Sequence, residues 1–205
     1  MKRSMILAAA LLFAGGLRAE AKPLPTGTFD FDTAHSRMGF AVTHMVISTV
    51  EGKFDKFEGT IVVKSRKNIS VKASAETASI DTGNAMRDSH LRGDNPKMPK
   101  DDFFEAEKYP QLTFDSTKVT LDDDNNLTVV GDLTIHGVTK VVTFTGKYNG
   151  SVQAYGERIA TNLTATINRK DFGLKFNAMV EAGPVVSDQV ELSINVEAVK
   201  KTGKD

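Results

Sequence analysis

Arg87, Asp88 and His90 form the densest polar cluster of the chain. On one turn of helix, Arg87 and His90 at i and i+3 share a face, so a guanidinium and an imidazole reach the same point. Such a pair either grips a polar headgroup or closes the end of a container. The other role open to Arg87 is structural, a tie to a carboxylate such as Asp81 or Asp102 that pins its surroundings. Metal and covalent chemistry find less to work with. The four histidines, His35, His44, His90 and His136, have no H-x-x-x-H spacing, and there is no cysteine to complete a zinc set. No G-x-S-x-G elbow is present, so an enzyme is not expected, nor any cofactor. The run Asp122 to Asn126 lacks the glycine and the distal glutamate of a calcium loop and reads as a solvated turn. His44 shares the apolar side of its segment with Phe40, Val42 and Val46. It is either a hydrogen-bonded core histidine or a polar spot inside a cavity.

Most of the chain that must position these groups alternates apolar and polar residues with period two. Val190, Leu192, Ile194, Val196 and Ala198 alternate with Gln189, Glu191, Ser193, Asn195 and Glu197. Similar runs cover Thr28–Asp32, Met38–Ile47, Lys53–Lys64, Ser70–Ile80, Gln111–Leu121, Leu127–Ile135, Lys140–Tyr148 and Glu157–Asn168, about nine strands in all. The turn signals Asp122 to Asn126, His136-Gly137 and Asn149-Gly150 imply antiparallel neighbours. Two short helices are expected, over Ala85–Leu91 and over Asp102–Lys108, the second stopped by Pro110. Both lie in a long connection whose apolar content argues for order. Consecutive antiparallel strands with so few helices close into a barrel or stack as a sandwich, and periodicity does not separate the two.

The first residues read as a secretory leader over 1–21. Lys2 and Arg3 precede an apolar run from Ile6 to Leu17, and Ala19-Glu20-Ala21 supplies a cleavage site. The run is short of the ~20 residues that span a bilayer, so stable membrane insertion is not expected. No cysteine follows it for lipid attachment. Residues 22–205 are expected to form one soluble domain stabilised by a hydrophobic core rather than by disulfides. Lysine plus arginine and aspartate plus glutamate are equal at 26 each, which offers no footprint for nucleic acid.

Ser79-Ile80-Asp81-Thr82-Gly83, Arg87-Asp88, His90-Leu91, Asp102-Phe103-Phe104, Tyr109-Pro110 and Phe114 follow one another in an order that resembles the signature of the YceI-like family. Asp32, His35-Ser36, Gly52, Phe54, Gly131 to Gly137, Arg169 and Asp171-Phe172-Gly173 extend the resemblance over nearly the whole chain after the leader. That family comprises secreted bacterial proteins with a lipocalin-like barrel that hold polyisoprenoid lipids. The resemblance therefore implies an all-β, antiparallel, eight-stranded barrel with one or two short helices. It also implies a periplasmic carrier for a quinone, a polyprenyl phosphate or another long-chain amphiphile.

The wall residues expected around the ligand are Phe31, Phe40, Val42, Phe114, Leu133, Phe144, Phe172 and Phe176, with His44, Arg87 and His90 as polar contacts. Of Phe103 and Phe104, adjacent on a helix, one would cap the lumen and the other pack outside. Small residues on the inward face (Gly39, Ala41, Ala73, Ala75, Gly131 and Ala165) favour an open lumen, since in a packed interior they would leave costly voids. Arg169 is expected to pair with a carboxylate and Gly173 to allow a bend. The stretch Gly93 to Lys100 is longer than the family pattern and reads as an exposed insertion. The alternative function is an interaction protein with a filled barrel that uses residues 93–100 as its contact surface. A homodimer through strand edges or this insertion is left open.

Overall fold

The computed structural model describes residues 21–97, 99, 103–176, 179–180 and 183–202. Eight strands close into an antiparallel barrel: β1 (Gly27–Phe31), β4 (Phe57–Ser65), β5 (Asn68–Glu76), β7 (Gln111–Leu121), β8 (Asn126–Ile135), β9 (Val138–Gln153), β10 (Glu157–Asn168) and β13 (Val186–Lys200), which pairs back to β1. The resemblance thus pointed to the right one of the two architectures that periodicity left open.

Apart from a small separate ladder of β11 (Met179–Val180) with β12 (Gly183–Pro184), the sheet continues at one end into β2 (Arg37–His44), β3 (Ser48–Phe54) and the two-residue β6 (Ile80–Asp81). These extend the first three barrel positions beyond a break in each. Residues 32–36 interrupt β1 and β2, Asp55-Lys56 interrupt β3 and β4, and a 3-10 turn at Thr77–Ser79 interrupts β5 and β6. One edge of β13 serves two partners, its first part pairing with β2 and its last three residues with β1. The expected strands Met38–Ile47 and Lys53–Lys64 are corrected accordingly. A hairpin tip falls at Met45-Val46-Ile47, where Met45 and Val46 both adopt positive φ, and β3 follows it. No glycine, asparagine or aspartate marks that turn.

Other turns follow the sequence more closely. His136 (φ 52°) and Gly137 (φ 74°) form the two-residue loop between β8 and β9, with Ile135 facing Val138 across it. Asn149-Gly150, expected as a turn, instead lies inside β9. The register shifts there, so that Gly150 faces Ala160 and Tyr148 faces Thr161, and the chain reverses only at Ala154-Tyr155-Gly156.

The opposite end of the barrel is corked by the segment before β1. The Lys22 backbone N–H donates to Asn125 Oδ1 (2.8 Å), Tyr148 Oη donates to the Pro23 carbonyl (2.6 Å), and Leu24 reaches the interior. The other end is covered by the connection between β6 and β7. Its helix α1 (Ala85–Arg92) starts on Asn84, whose side chain accepts the Arg87 N–H (3.0 Å), and stops on Gly93 at φ 77°.

The second expected helix does not form over the described part of its range, and Asp102 lies outside that part. Residues 103–109 are consecutive turns, with Glu105 at φ 45°. Their amide groups go to carbonyls at the end of α1 that have no partner within the helix, Phe104 N–H to Leu91 (3.0 Å) and Ala106 N–H to Arg92 (2.8 Å). The side chains at the other face of this segment tie it to the barrel rim. Glu105 Oε2 lies 2.8 Å from His136 Nε2, and the Tyr109 ring packs edge-on to that imidazole at 4.5 Å. The leader expected over residues 1–21 falls outside the described residues except for Ala21. Among the described residues no helix is long and apolar enough to cross a membrane.

Candidate functional site

The barrel is hollow. A cavity of about 520 Å³ runs from Leu24 and Tyr148 at the corked end to α1 at the other. Its wall is apolar because every second residue of the strands points inward, and those positions are almost all Val, Ile, Leu or Phe. Since side chains do not fill it, the filled-barrel alternative loses its premise.

Of the expected wall residues, Phe31, Phe40, Val42, Phe114, Leu133, Phe144 and Phe176 all face this space. Phe172 does not. It is 1% exposed and sits in a 3-10 turn (Arg169–Phe172), packed with Val142 and Ile167 in the hydrophobic core without bordering the cavity. Its place is in the packing of the corner, and the bend there ends on Gly173 at φ 79°.

Phe103 and Phe104 correct a second expectation. Both face the cavity, because a chain of turns, unlike a helix, can point neighbouring side chains the same way. Phe103 lies between the rings of Phe176 (5.1 Å, 23° between planes) and His90 (6.4 Å, 28°), a stack that spans the covered end. Phe104 meets Phe54 edge-on at 6.2 Å. Ala73 and Ala75 line the lumen as expected from their size. Ala41 is out of phase with Phe40 and Val42, and Ala165 packs against the core without reaching the cavity.

Polar groups gather at the end covered by α1, where His44, Thr82, Asn84, Arg87 and His90 border the space. Among the described residues the His44 and His90 rings have no hydrogen-bond partner. His44 is therefore the polar spot in the lumen rather than a satisfied core histidine.

Arg87 does not pair with Asp81, and Asp102, the other carboxylate expected for it, lies outside the described residues. Its Nε donates to Thr82 Oγ1 (2.7 Å) and its Nη2 to the Thr82 carbonyl (2.8 Å). Asp88, which is buried, accepts from the Thr82 amide (2.9 Å) and hydroxyl (2.5 Å). Asp81 is held by the Gly83 N–H and by Lys53, which together lower its pKa. Nη1 of Arg87 is left without a partner among the described residues. A half-buried cation with spare donors at the border of an apolar chamber can receive an anionic or carbonyl oxygen.

Two other charged clusters are structural. Arg169 also touches the lumen, but its guanidinium is fully used by Asp188 Oδ1 (2.9 Å) and by the carbonyls of Ser187 (3.0 Å) and Leu174 (2.8 Å). Asp32, His35 and Glu197 bring ligand atoms within 4.8 Å of one another. Arg158 bridges the two carboxylates of that group, and this contact, helped by His35, holds the Asp32 carboxyl down at about 2. Asp32 and His35 lie three residues apart, whereas Arg158 and Glu197 are distant from them along the chain, so no local spacing marks this cluster.

A closed antiparallel barrel with an apolar chamber and a polar end belongs to the broad class of lipocalin-like binding folds. Within it, residues 29–198 match the YceI-like domain, and the chain belongs to that family. It is 36% identical over 204 residues to a UPF0312 protein of Pseudomonas putida, covering 97% of this chain and 96% of the relative. Among solved structures, the YceI protein of Campylobacter jejuni superposes with a TM-score of 0.65 at 31% identity, over 83% of this chain and 96% of that one. A polyisoprenoid-binding domain from Saccharophagus degradans shares the fold at a TM-score of 0.62 and 17% identity, over 84% and 98% of the two chains.

Proposed function

We propose that the protein is an exported, periplasmic carrier that holds the tail of an isoprenoid or other long-chain amphiphile in its barrel, with the headgroup at Arg87 and His90. The observation that carries this reading is the chamber itself, 520 Å³ of apolar space with its ionisable groups concentrated at one end. The polyisoprenoid named for the Saccharophagus domain fits such a space in kind.

Magnitudes agree. At ~30 Å³ for a methylene-sized group, taken from the volume of a water molecule, the chamber holds roughly 17 of them, or between three and four isoprene units. Full burial is worth ~14 kcal/mol gross at ~0.8 kcal/mol each. Against an association cost of ~4–15 kcal/mol this supports binding that ranges from weak to tight according to how well the tail fills the space. Longer tails must leave part of their length at the covered end. Carriage needs only a difference in solubility, so no catalytic group is required.

The test is native purification of the exported protein, extraction with organic solvent and mass spectrometry of the extract. A prenyl or acyl lipid in stoichiometric amount is expected. A clean extract, together with no uptake of added quinone, would refute the reading.

A further inference from the structure

Resting on that reading of the lumen, we propose that Gly52 and Gly59 set its bore, and with it the longest and bulkiest tail the protein accepts. Each lies beneath a phenyl ring from the neighbouring strand. Gly52 faces Phe40 across the β2–β3 pair. A Cβ on Gly52 would fall 2.7 and 2.9 Å from Phe40 Cε1 and Cε2, and closer still to Cζ. At Gly59 it would fall 2.5 and 2.6 Å from Cζ and Cδ2 of Phe31. Gly131 has the same relation to Phe114, at 2.5 and 2.8 Å from Cζ and Cε2, but there a backbone carbonyl, that of Asp115, is also in the way.

These separations are far inside ordinary contact at 3.4–4 Å, so the rings occupy the room that a Cβ would take. They lie flat on the wall instead of standing in the lumen. An inward side chain on a strand normally projects perpendicular to the sheet, and in a barrel of eight strands such side chains can fill the interior. The glycines are what let bulky rings line this barrel without closing it. Sideways escape is blocked for Phe40, whose ring packs against Phe54 at 5.9 Å. A Cβ beneath it leaves one direction, upward into the chamber.

A raised ring displaces roughly two to four methylene-sized groups of ligand. Each lost group weakens binding about fourfold, the equivalent of ~0.8 kcal/mol. Gly52→Ala and Gly59→Ala are therefore expected to weaken a tail that fills the lumen ~10- to 200-fold, and to leave a tail half that length within about twofold.

The experiment compares wild type, the two alanine variants and the double variant Gly52→Ala/Phe40→Leu, using saturated carboxylates of graded length in a fluorescent-probe displacement assay. Unfolding midpoints and a crystal structure of Gly52→Ala accompany the titrations. The expected result is a shortened length limit in the single variants and its recovery in the double variant, where the smaller side chain no longer needs the glycine. An unchanged length limit in folded single variants would overturn the proposal, as would failure of the double variant to recover. Wild type that takes up none of the series would instead refute the lumen as a lipid site. The crystal structure then still decides the bore: a Phe40 ring that stays flat on the wall in Gly52→Ala would overturn the proposal.

Discussion

Arg87→Met separates a headgroup contact from a structural tie, because methionine keeps most of the apolar stem and removes only the charge. Two of the guanidinium donors hold Thr82, and Nη1 has no partner among the described residues. A unit charge pair ~4 Å apart at an effective dielectric of ~20 is worth ~4 kcal/mol before desolvation is subtracted. A hydrogen bond to a charged group nets ~1.5–3 kcal/mol. Loss of the contact should therefore weaken an anionic ligand by ~10- to 150-fold. The informative comparison is farnesyl phosphate against farnesol, which share a tail and differ in charge, titrated calorimetrically at two salt concentrations. Farnesol should change less than ~3-fold, since its tail burial is untouched. The phosphate should lose both affinity and most of its salt dependence. Equal losses for the two ligands would show that Arg87 acts only by holding Thr82 and the start of α1. No loss for either would remove the polar end from the site. In both cases the headgroup assignment fails while the tail chamber stands.

Acid should reveal the Arg158–Asp32 contact. A folded-state value of about 2, against an ordinary value of 3.8, means that its stabilisation is present above the ordinary value and is lost as pH falls through about 2. Asp32→Asn should lower the urea midpoint at neutral pH, and the gap to wild type should close between about pH 4 and 2; a gap that does not depend on pH would refute this. Arg169→Met leaves the Ser187 and Leu174 carbonyls without their donor in a site where the arginine is 6% exposed. It should cost ~2–5 kcal/mol in urea unfolding, and a loss below ~1 kcal/mol would show that the corner is held by packing alone.

Strands were legible wherever one face is buried and the other wet. Gln111–Leu121 and Glu157–Asn168 have the observed limits because alternation ends where burial ends. The hairpin tip at Met45-Val46-Ile47 was not legible, since its apolar residues continue the alternation while the backbone turns through a left-handed region usually filled by glycine or asparagine. Asn149-Gly150 misled for the opposite reason. Residues that tolerate unusual φ also suit a bulge, and only the register with β10 shows which was built. The helix expected over Asp102–Lys108 failed because tertiary bonds from Phe104 and Ala106 to the end of α1 outweigh local propensity.

The site was legible as a set of side chains but not as a volume. Period two identifies Phe31, Phe40 and Phe114 as inward, yet it is silent on whether an inward ring fills a barrel or lies along its wall. That depends on the partner across the ladder, and Gly52 and Gly59 become informative only once the register places each beneath a ring. The same inward phenylalanines facing alanines would describe a solid core. A glycine that weakens a strand by ~0.5–1 kcal/mol relative to alanine therefore has a use here that compensates the loss, because it keeps open the space on which binding depends.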